Sequence, residues 1–229
     1  DSGLVVLVNA DKPLENDLQA SLSEVANAAG FARISWGDDV IVQRVAPVLQ
    51  MGTAPVPIPP GAFLQATAQG EAALLASVQD AVGSAKRVLD LFAGCGTFAL
   101  PLSLAAEVHA VESEQSLLDA LDAGWRHSKG SKRVTTERRD LFRRPLTTDE
   151  LRRFDAIVID PPRAGAEAQI PQIAAARVQR IASVSCNPVT FARDAAILTN
   201  SGYKLDWIDV VDQFRWSTHI EIAAGLTLA

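Results

Sequence analysis

From Phe63 onward the chain alternates short, nearly continuous apolar runs with stretches of helical spacing. This alternation does most to limit its possible folds. The runs at 87–92, 107–112, 133–136, 154–160 and 180–186 read as strands. Helical stretches at about 66–82, after Ser113 and at 191–198 lie among them. Strands that are apolar on both faces belong in a parallel sheet covered by helices on both sides. Two further runs, 204–211 and 219–224, follow one another with no helix between. They predict an antiparallel hairpin at one sheet edge. The expected fold is α/β: a seven-stranded, mostly parallel, Rossmann-like sheet closed by that hairpin.

Residues 1–61 follow a different pattern, read as a small α+β lobe set before a larger domain at 62–229. The run 3–9 reads as a strand. The stretch 14–29 carries helical spacing at Leu18, Leu22, Val25 and Ala29 and stops at Gly30. Strand-like runs follow at 34–36 and 40–42, and a third at 45–49 is confined to a sheet edge by Pro47. The proline-rich stretch 55–61 is a stiff, non-helical boundary. The chain begins at Asp1 without Met, so a fragment is expected. No apolar run approaches the roughly 18 residues of a spanning helix. No basic-then-apolar leader is present. Two distant cysteines, Cys95 and Cys186, fit a reducing cytoplasm. The net charge of −6 argues against general DNA coating. Residues 121–160 nevertheless hold ten basic and seven acidic side chains. That patch can meet a phosphate backbone, although a solvated helix-and-loop face is the simpler reading.

The stretch 90–98, Asp-Leu-Phe-Ala-Gly-Cys-Gly-Thr-Phe, reads as strand, glycine turn and helix start. Glycines there allow positive φ and close approach of backbone to a ligand. Glu112 ends the next strand 18 residues after Gly94, where an acid can accept two ribose hydroxyls. Gly94, Gly96 and Ala99 also satisfy a dinucleotide fingerprint, so a nicotinamide enzyme stays open. Two acids favour S-adenosylmethionine instead. Asp90 precedes the loop and suits an amino group, and Asp140 closes the third strand, where it can meet adenine. Cys95 reads as structural.

Asp160-Pro161-Pro162-Arg163-Ala164-Gly165 follows a buried run, and its prolines present Asp160 toward the ligand edge of the sheet. A capped turn is the plainer alternative. Related motifs that serve amine methylation carry an aromatic where Arg163 stands here. That favours phosphate or base-edge contact. Cys186 falls at the end of the fifth run, before Pro188. It reads as a nucleophile, against the commoner fate of a buried small hydrophobe. A free thiol ionises near pH ~8.5, so the site should favour an anion, helped by the amino end of the following helix. Glu221, within an apolar run, is the candidate general base, its pKa raised by burial. His219 sits two residues earlier on the same strand face, either orienting Glu221 or satisfied in the core, the latter slightly preferred.

Together, Phe63-Leu64-Gln65, the 90–98 loop, the 160–165 motif, Ser185-Cys186-Asn187-Pro188 with Arg193-Asp194, and Asp212-Gln213-Phe214 with His219-Ile220-Glu221 resemble the RNA 5-methyluridine methyltransferase family. The resemblance covers residues 63–221 in the family's order. It implies a class I methyltransferase sheet and a methyl group passed from S-adenosylmethionine to carbon 5 of a uridine in structured tRNA or rRNA. It implies Cys186 as nucleophile and Glu221 as base. Gln65, Phe92, Gly94, Glu112 and Asp160 would meet the cofactor, with Thr97 and Asp140 beside them. The uridine would be flipped out of its stack. Family members usually carry an N-terminal barrel and a fuller central domain, and neither is evident here. Two cysteines cannot form the four-cysteine iron–sulfur site of some members, so a cluster would belong to an upstream part. A monomer acting on RNA, away from membranes and without metal in this chain, is expected. Amino-group methylation, a nicotinamide dehydrogenase and a non-enzymatic RNA-binding module are the alternatives.

Overall fold

The computed structural model describes residues 3–37, 39–214 and 216–229. In the first part, β1 (Val5–Val8), α1 (Asn16–Ala29), β2 (Arg33–Trp36) and β3 (Asp39–Gln43) form a small lobe. β2 lies between β1, which is parallel to it, and β3, which is antiparallel. α1 ends where predicted, at Gly30 in the left-handed conformation, φ 71°.

Next comes a two-stranded hairpin, β4 (Val48–Met51) and β5 (Ala54–Pro57). The proline-rich stretch is therefore a strand in part. Pro55 and Pro57 are two apart, so both lack their N–H on the side away from β4, and the ladder loses nothing. The amide of Ile58 donates to the carbonyl of Pro47 at 2.9 Å, on the side facing β4. Ala54, Val56 and Ile58 alternate inward and are buried. With Met51 of β4 they join one apolar cluster that includes Leu100 and Leu121 of the larger part, so the hairpin packs on that part.

The larger part runs α2 (Ala68–Val82), β6 (Arg87–Leu91), α3 (Ala99–Leu102), β7 (Glu107–Glu112), α4 (Gln115–His127), β8 (Val134–Arg138), α5 (Thr148–Leu151), β9 (Ala156–Ile159), α6 (Ile170–Ala176), β10 (Arg180–Ser185), α7 (Pro188–Asn200), β11 (Tyr203–Val211) and β12 (Glu221–Leu228). Seven strands form one sheet in the order β11-β12-β10-β9-β6-β7-β8. β12 runs antiparallel to both neighbours and the remaining pairs are parallel, as the alternation and the terminal pair of runs predict. Successive residues of β9 serve opposite layers. Ala156 and Val158 pack with α2, α3 and α4, while Ile157 and Ile159 pack with α6 and α7. That is why its sequence is apolar without interruption.

The chain leaves β6 for β7 and β8 on one side and returns to β9 and β10 on the other. The order thus reverses between β6 and β9, the place where open α/β sheets bind ligands at their carboxyl edge.

Candidate active site

A cavity of about 450 Å³ opens at that edge. It is lined by Gln65, Phe92, Gly94, Glu112, Asp140, Asp160, Cys186 and Glu221, each singled out in the sequence. Phe92, Glu112, Asp160 and Cys186 each stand at or just beyond the end of a parallel strand, and Asp140 two residues past β8. Glu221 reaches the same edge because β12 runs the other way, so its first residue lies at the carboxyl ends of its neighbours. Ser185 pairs with Ile222 in the β10–β12 ladder. Extending that register by one sets Cys186 opposite Glu221. Thr97 lies in the glycine loop outside the cavity lining. Arg163, which the sequence marks for phosphate or base-edge contact, lines the cavity too, while Phe63, Arg139, Phe142 and Pro161 also line it and carry little signal in the sequence beyond the motifs around them.

The glycine loop is shaped by sterics. Gly96 has φ 102°, and a Cβ there would lie 2.8 Å from Leu100, so only glycine fits. Gly94, φ 55°, faces open space, and its amide donates to Glu112 Oε2 at 3.1 Å. Phe92 holds a positive φ of 62°, a costly conformation for a bulky residue. Its ring meets that of Phe142 at 5.5 Å between centroids. Glu112 Oε1 accepts from the amides of Ser113 and Glu114, and Asp140 Oδ1 from those of Phe142 and Arg143. Both acids are thereby oriented. Asp90 is fully buried, and neither of its oxygens has a partner among the described residues. Burial, then Asp160, hold its pKa well above the ordinary value.

The 160–165 motif and the start of α7 are stitched together. Asn187 Nδ2 donates to the carbonyl of Arg163 at 3.0 Å, and Asn187 Oδ1 caps the amide of Val189. Asp194 accepts from the amide of Ala166 at 2.9 Å, and Arg193 donates to the carbonyl of Ala164. Gly165, φ 76°, leaves no room for a Cβ against Thr190 and Asp194, both 2.9 Å away. The motifs carrying Asp160 and Cys186 thus form one physical unit. On the other flank, Gln213 Nε2 donates to Gln65 Oε1 at 2.5 Å, tying the β11–β12 loop to the segment before α2.

Two expectations change. Cys186 does not sit in an anion-favouring site: burial first, then Glu221 and Asp160, push its thiol up, opposed by Arg163. The amide of Val189, at the start of α7, is taken by the Asn187 cap. His219 is not on a strand with Glu221 and is not in the core. It is exposed in the loop before β12, where its Nδ1 meets Arg163 Nη1 at 2.9 Å and its ring meets Phe214 edge-on. Arg has only donors, so in this contact Nδ1 is the acceptor. The basic stretch 121–160 is neutralised locally in part. Arg139 pairs with Glu137 and Glu150, Arg143 with Asp140, and Arg152 with Asp149. Cys95 is buried, its thiol pushed up to about 11, mainly by burial.

The lining tests the two cofactor readings. Glu112, Asp140, Asp160 and Glu221 face the cavity, and of its two arginines Arg139 is engaged by two carboxylates and Arg163 meets His219. Such a surface fits a ligand carrying sulfonium and ammonium charge and repels a pyrophosphate. The glycine loop also leads into a helix of one turn, Ala99–Leu102, rather than the full helix on which a pyrophosphate rests. The residues fit S-adenosylmethionine and not a dinucleotide. Asp160 is pushed up to about 7 by burial and then by Glu221, and burial raises Glu221.

Fold and site together define a class I, Rossmann-like methyltransferase domain. Residues 130–229 match the tRNA (uracil-5-)-methyltransferase family. An uncharacterised RNA methyltransferase of Brucella melitensis is 47% identical over 227 residues, 99% of this chain and 55% of the relative. One of Mesorhizobium japonicum is 51% identical over 225 residues, again 55% of its length. The 23S rRNA (uracil(1939)-C(5))-methyltransferase RlmD of Pseudomonas putida is 36% identical over 230 residues, 96% of this chain and 50% of that protein. The chain spans about half the length of the curated relatives it matches. The crystal structure of Pyrococcus abyssi tRNA (uracil-54, C5)-methyltransferase with S-adenosyl-L-homocysteine aligns over 96% of this chain and 56% of its own. Its TM-score is 0.72 at 22% identity, a likeness of fold. The resemblance to RNA 5-methyluridine methyltransferases carried by the motifs is borne out by these relatives.

Proposed function

We propose that the protein methylates carbon 5 of a uridine in RNA, using S-adenosylmethionine, with Cys186 as nucleophile and Glu221 as general base. The observation that carries this reading is the register that sets Cys186 against Glu221 at one cavity, with Asp160 and Arg163 beside them. The family match spans all four residues. A relative named for uracil-C5 methylation of rRNA and a family named for tRNA leave the RNA class open between the two.

Carbon 5 of uracil is weakly nucleophilic. The Cys186 thiol releases its proton to solvent, the thiolate sulfur bonds to carbon 6, and the ring electrons shift to make an enolate that is nucleophilic at carbon 5. Bound S-adenosylmethionine supplies the electrophilic methyl group. Glu221 then takes the hydrogen of carbon 5 as a proton, the carbon 5–carbon 6 double bond re-forms, and the Cys186 sulfur leaves. Gln65, Phe92, Gly94, Glu112, Asp140 and Asp160 would hold the cofactor, with Thr97 at the rear of the loop. Arg163, held by His219, supplies the positive charge nearest the thiol. Free thiols at Cys95 and Cys186 suit a cytoplasmic setting.

The test is covalent trapping of the full-length protein with S-adenosylmethionine and RNA containing 5-fluorouridine. Fluorine cannot leave as a proton, so an adduct that survives denaturation is expected and should vanish in Cys186→Ala. No adduct despite cofactor binding would favour amino-group methylation, which needs no cysteine.

A further inference from the structure

Three non-glycine residues among the described ones have positive φ: Phe92, Arg177 and Trp216. Arg177 is explained by its place as the left-handed cap of α6. Phe92 lines the cavity. Trp216, φ 70°, lies in the loop joining β11 to β12, and its side chain is fully exposed. The left-handed backbone of a large aromatic costs the free protein energy, and the exposed indole gains no burial in return.

The loop is anchored to the candidate site on both sides of Trp216. Before it, Gln213 is buried and bound to Gln65. After it, His219 meets Arg163, and the amide of Ser217 donates to the carbonyl of Phe214 at 3.1 Å. Gln65 and Arg163 both line the cavity. Trp216 is therefore carried at the mouth of the site on a tethered loop, outside the cavity lining itself.

We propose that Trp216 is a stacking platform for an unpaired RNA base neighbouring the nucleotide that enters the cavity. Any base presents a π-face, so an exposed indole contributes affinity with little sequence preference. A nucleotide drawn out of a stack leaves a neighbour without its partner, and an indole at the mouth can replace the lost stacking. Arg163, exposed beside the same loop, adds a cation for the connecting phosphate.

The proposal rests on the RNA-methylating reading, and the experiment separates the two. The full-length protein, Trp216→Ala and Trp216→Phe are titrated with a fluorescently labelled uridine octamer and with an abasic octamer of equal charge. S-adenosylhomocysteine binding is measured in parallel. Trp216→Ala should weaken octamer binding about tenfold or more. Trp216→Phe should keep most of the affinity, and neither should alter binding of the abasic octamer or of S-adenosylhomocysteine. Equal octamer affinity in Trp216→Ala and the parent would overturn the proposal, as would an octamer that the parent does not bind. A Trp216 already covered by another part of the protein, seen as no change in tryptophan emission between parent and Trp216→Phe at the exposed-indole wavelength, would overturn it too. If S-adenosylhomocysteine fails to bind the parent, the functional reading itself falls.

Discussion

Cys186 is held as a thiol by its own neighbours, chiefly burial and the charges of Glu221 and Asp160, with Arg163 acting the other way. Glu221→Gln therefore frees the thiolate while it removes the base. We expect iodoacetamide to alkylate Cys186 faster at pH 8 in the variant than in the parent, because one of the charges that raises the thiol is gone. Methyl transfer should fall about 100-fold or more. Slower alkylation would refute the charge argument, and buried Cys95 does not interfere. Asp160 carries its own pH signature. Its folded pKa is about 7, whereas an unfolded aspartate titrates near ~3.9. The stability it contributes is full below about pH 4 and is lost as pH rises toward 7, because the unfolded chain releases the proton first. Asp160→Asn removes that loss. Its advantage in melting temperature should grow from pH 5 to pH 7 and then level off. Partial access to pocket water limits it to about 2 kcal/mol. An advantage that shrinks with rising pH would contradict the assignment. Most of these residues were legible because an acid, glycine or cysteine that ends an apolar run must fall at the sheet edge. The thiol's environment was not legible, since it depends on which carboxylates the fold brings across from β9 and β12. His219 was misread because the register of β12 begins two residues after it.

At the scale of elements, the loop after β9 and the first turns of α7 behave as one piece. Asp194 is buried and is the acceptor for the Ala166 amide. Asp194→Ala leaves that amide without a partner, at a cost of about 1–3 kcal/mol. Its larger consequence is positional, because Arg163 and Asp160 lie on the loop it anchors. We expect a melting temperature several degrees lower together with reduced methyl transfer. S-adenosylhomocysteine binding through the Glu112 side should be retained. Full activity in a destabilised variant would separate the anchor from the site. The sheet strands and the longer helices were readable from periodicity. β5 was not, because prolines usually stop strands, and here their spacing of two puts every missing N–H on the free side. The short α3, Ala99–Leu102, was also hidden, since the glycine fingerprint promises a full helix.

For the whole molecule, the question is where the larger unit begins. The sequence suggests residue 61, after the prolines. The hairpin at 48–57 argues for a start near residue 46. Val56 is fully buried, and a Cβ on Gly124 of α4 would lie 2.7 Å from its side chain, which shows how closely β5 approaches that helix. Removing the hairpin would take Met51, Val56 and Ile58 away and uncover Leu100 and Leu121 on one face of the sheet layer. The lobe before it is tied on by polar contacts: Arg33, buried, donates to the carbonyls of Ile58 and Pro59 at 2.6 and 3.1 Å. We therefore propose that residues 46–229 fold as a unit and residues 62–229 do not. The longer piece should melt cooperatively and bind S-adenosylhomocysteine. The shorter should bind a hydrophobic dye and lose its sharp transition, because burial of Met51, Val56 and Ile58 contributes about 1.5–3 kcal/mol for each large side chain, against a total of about 5–15. If the shorter piece melts as sharply and at the same temperature, the hairpin is peripheral and the boundary at 61 stands. Both pieces lack the roughly half-length of sequence present in the relatives, and both should bind RNA more weakly than the full protein if that half carries RNA contacts. Comparing the two in cofactor binding alone keeps the folding question separate from the substrate question.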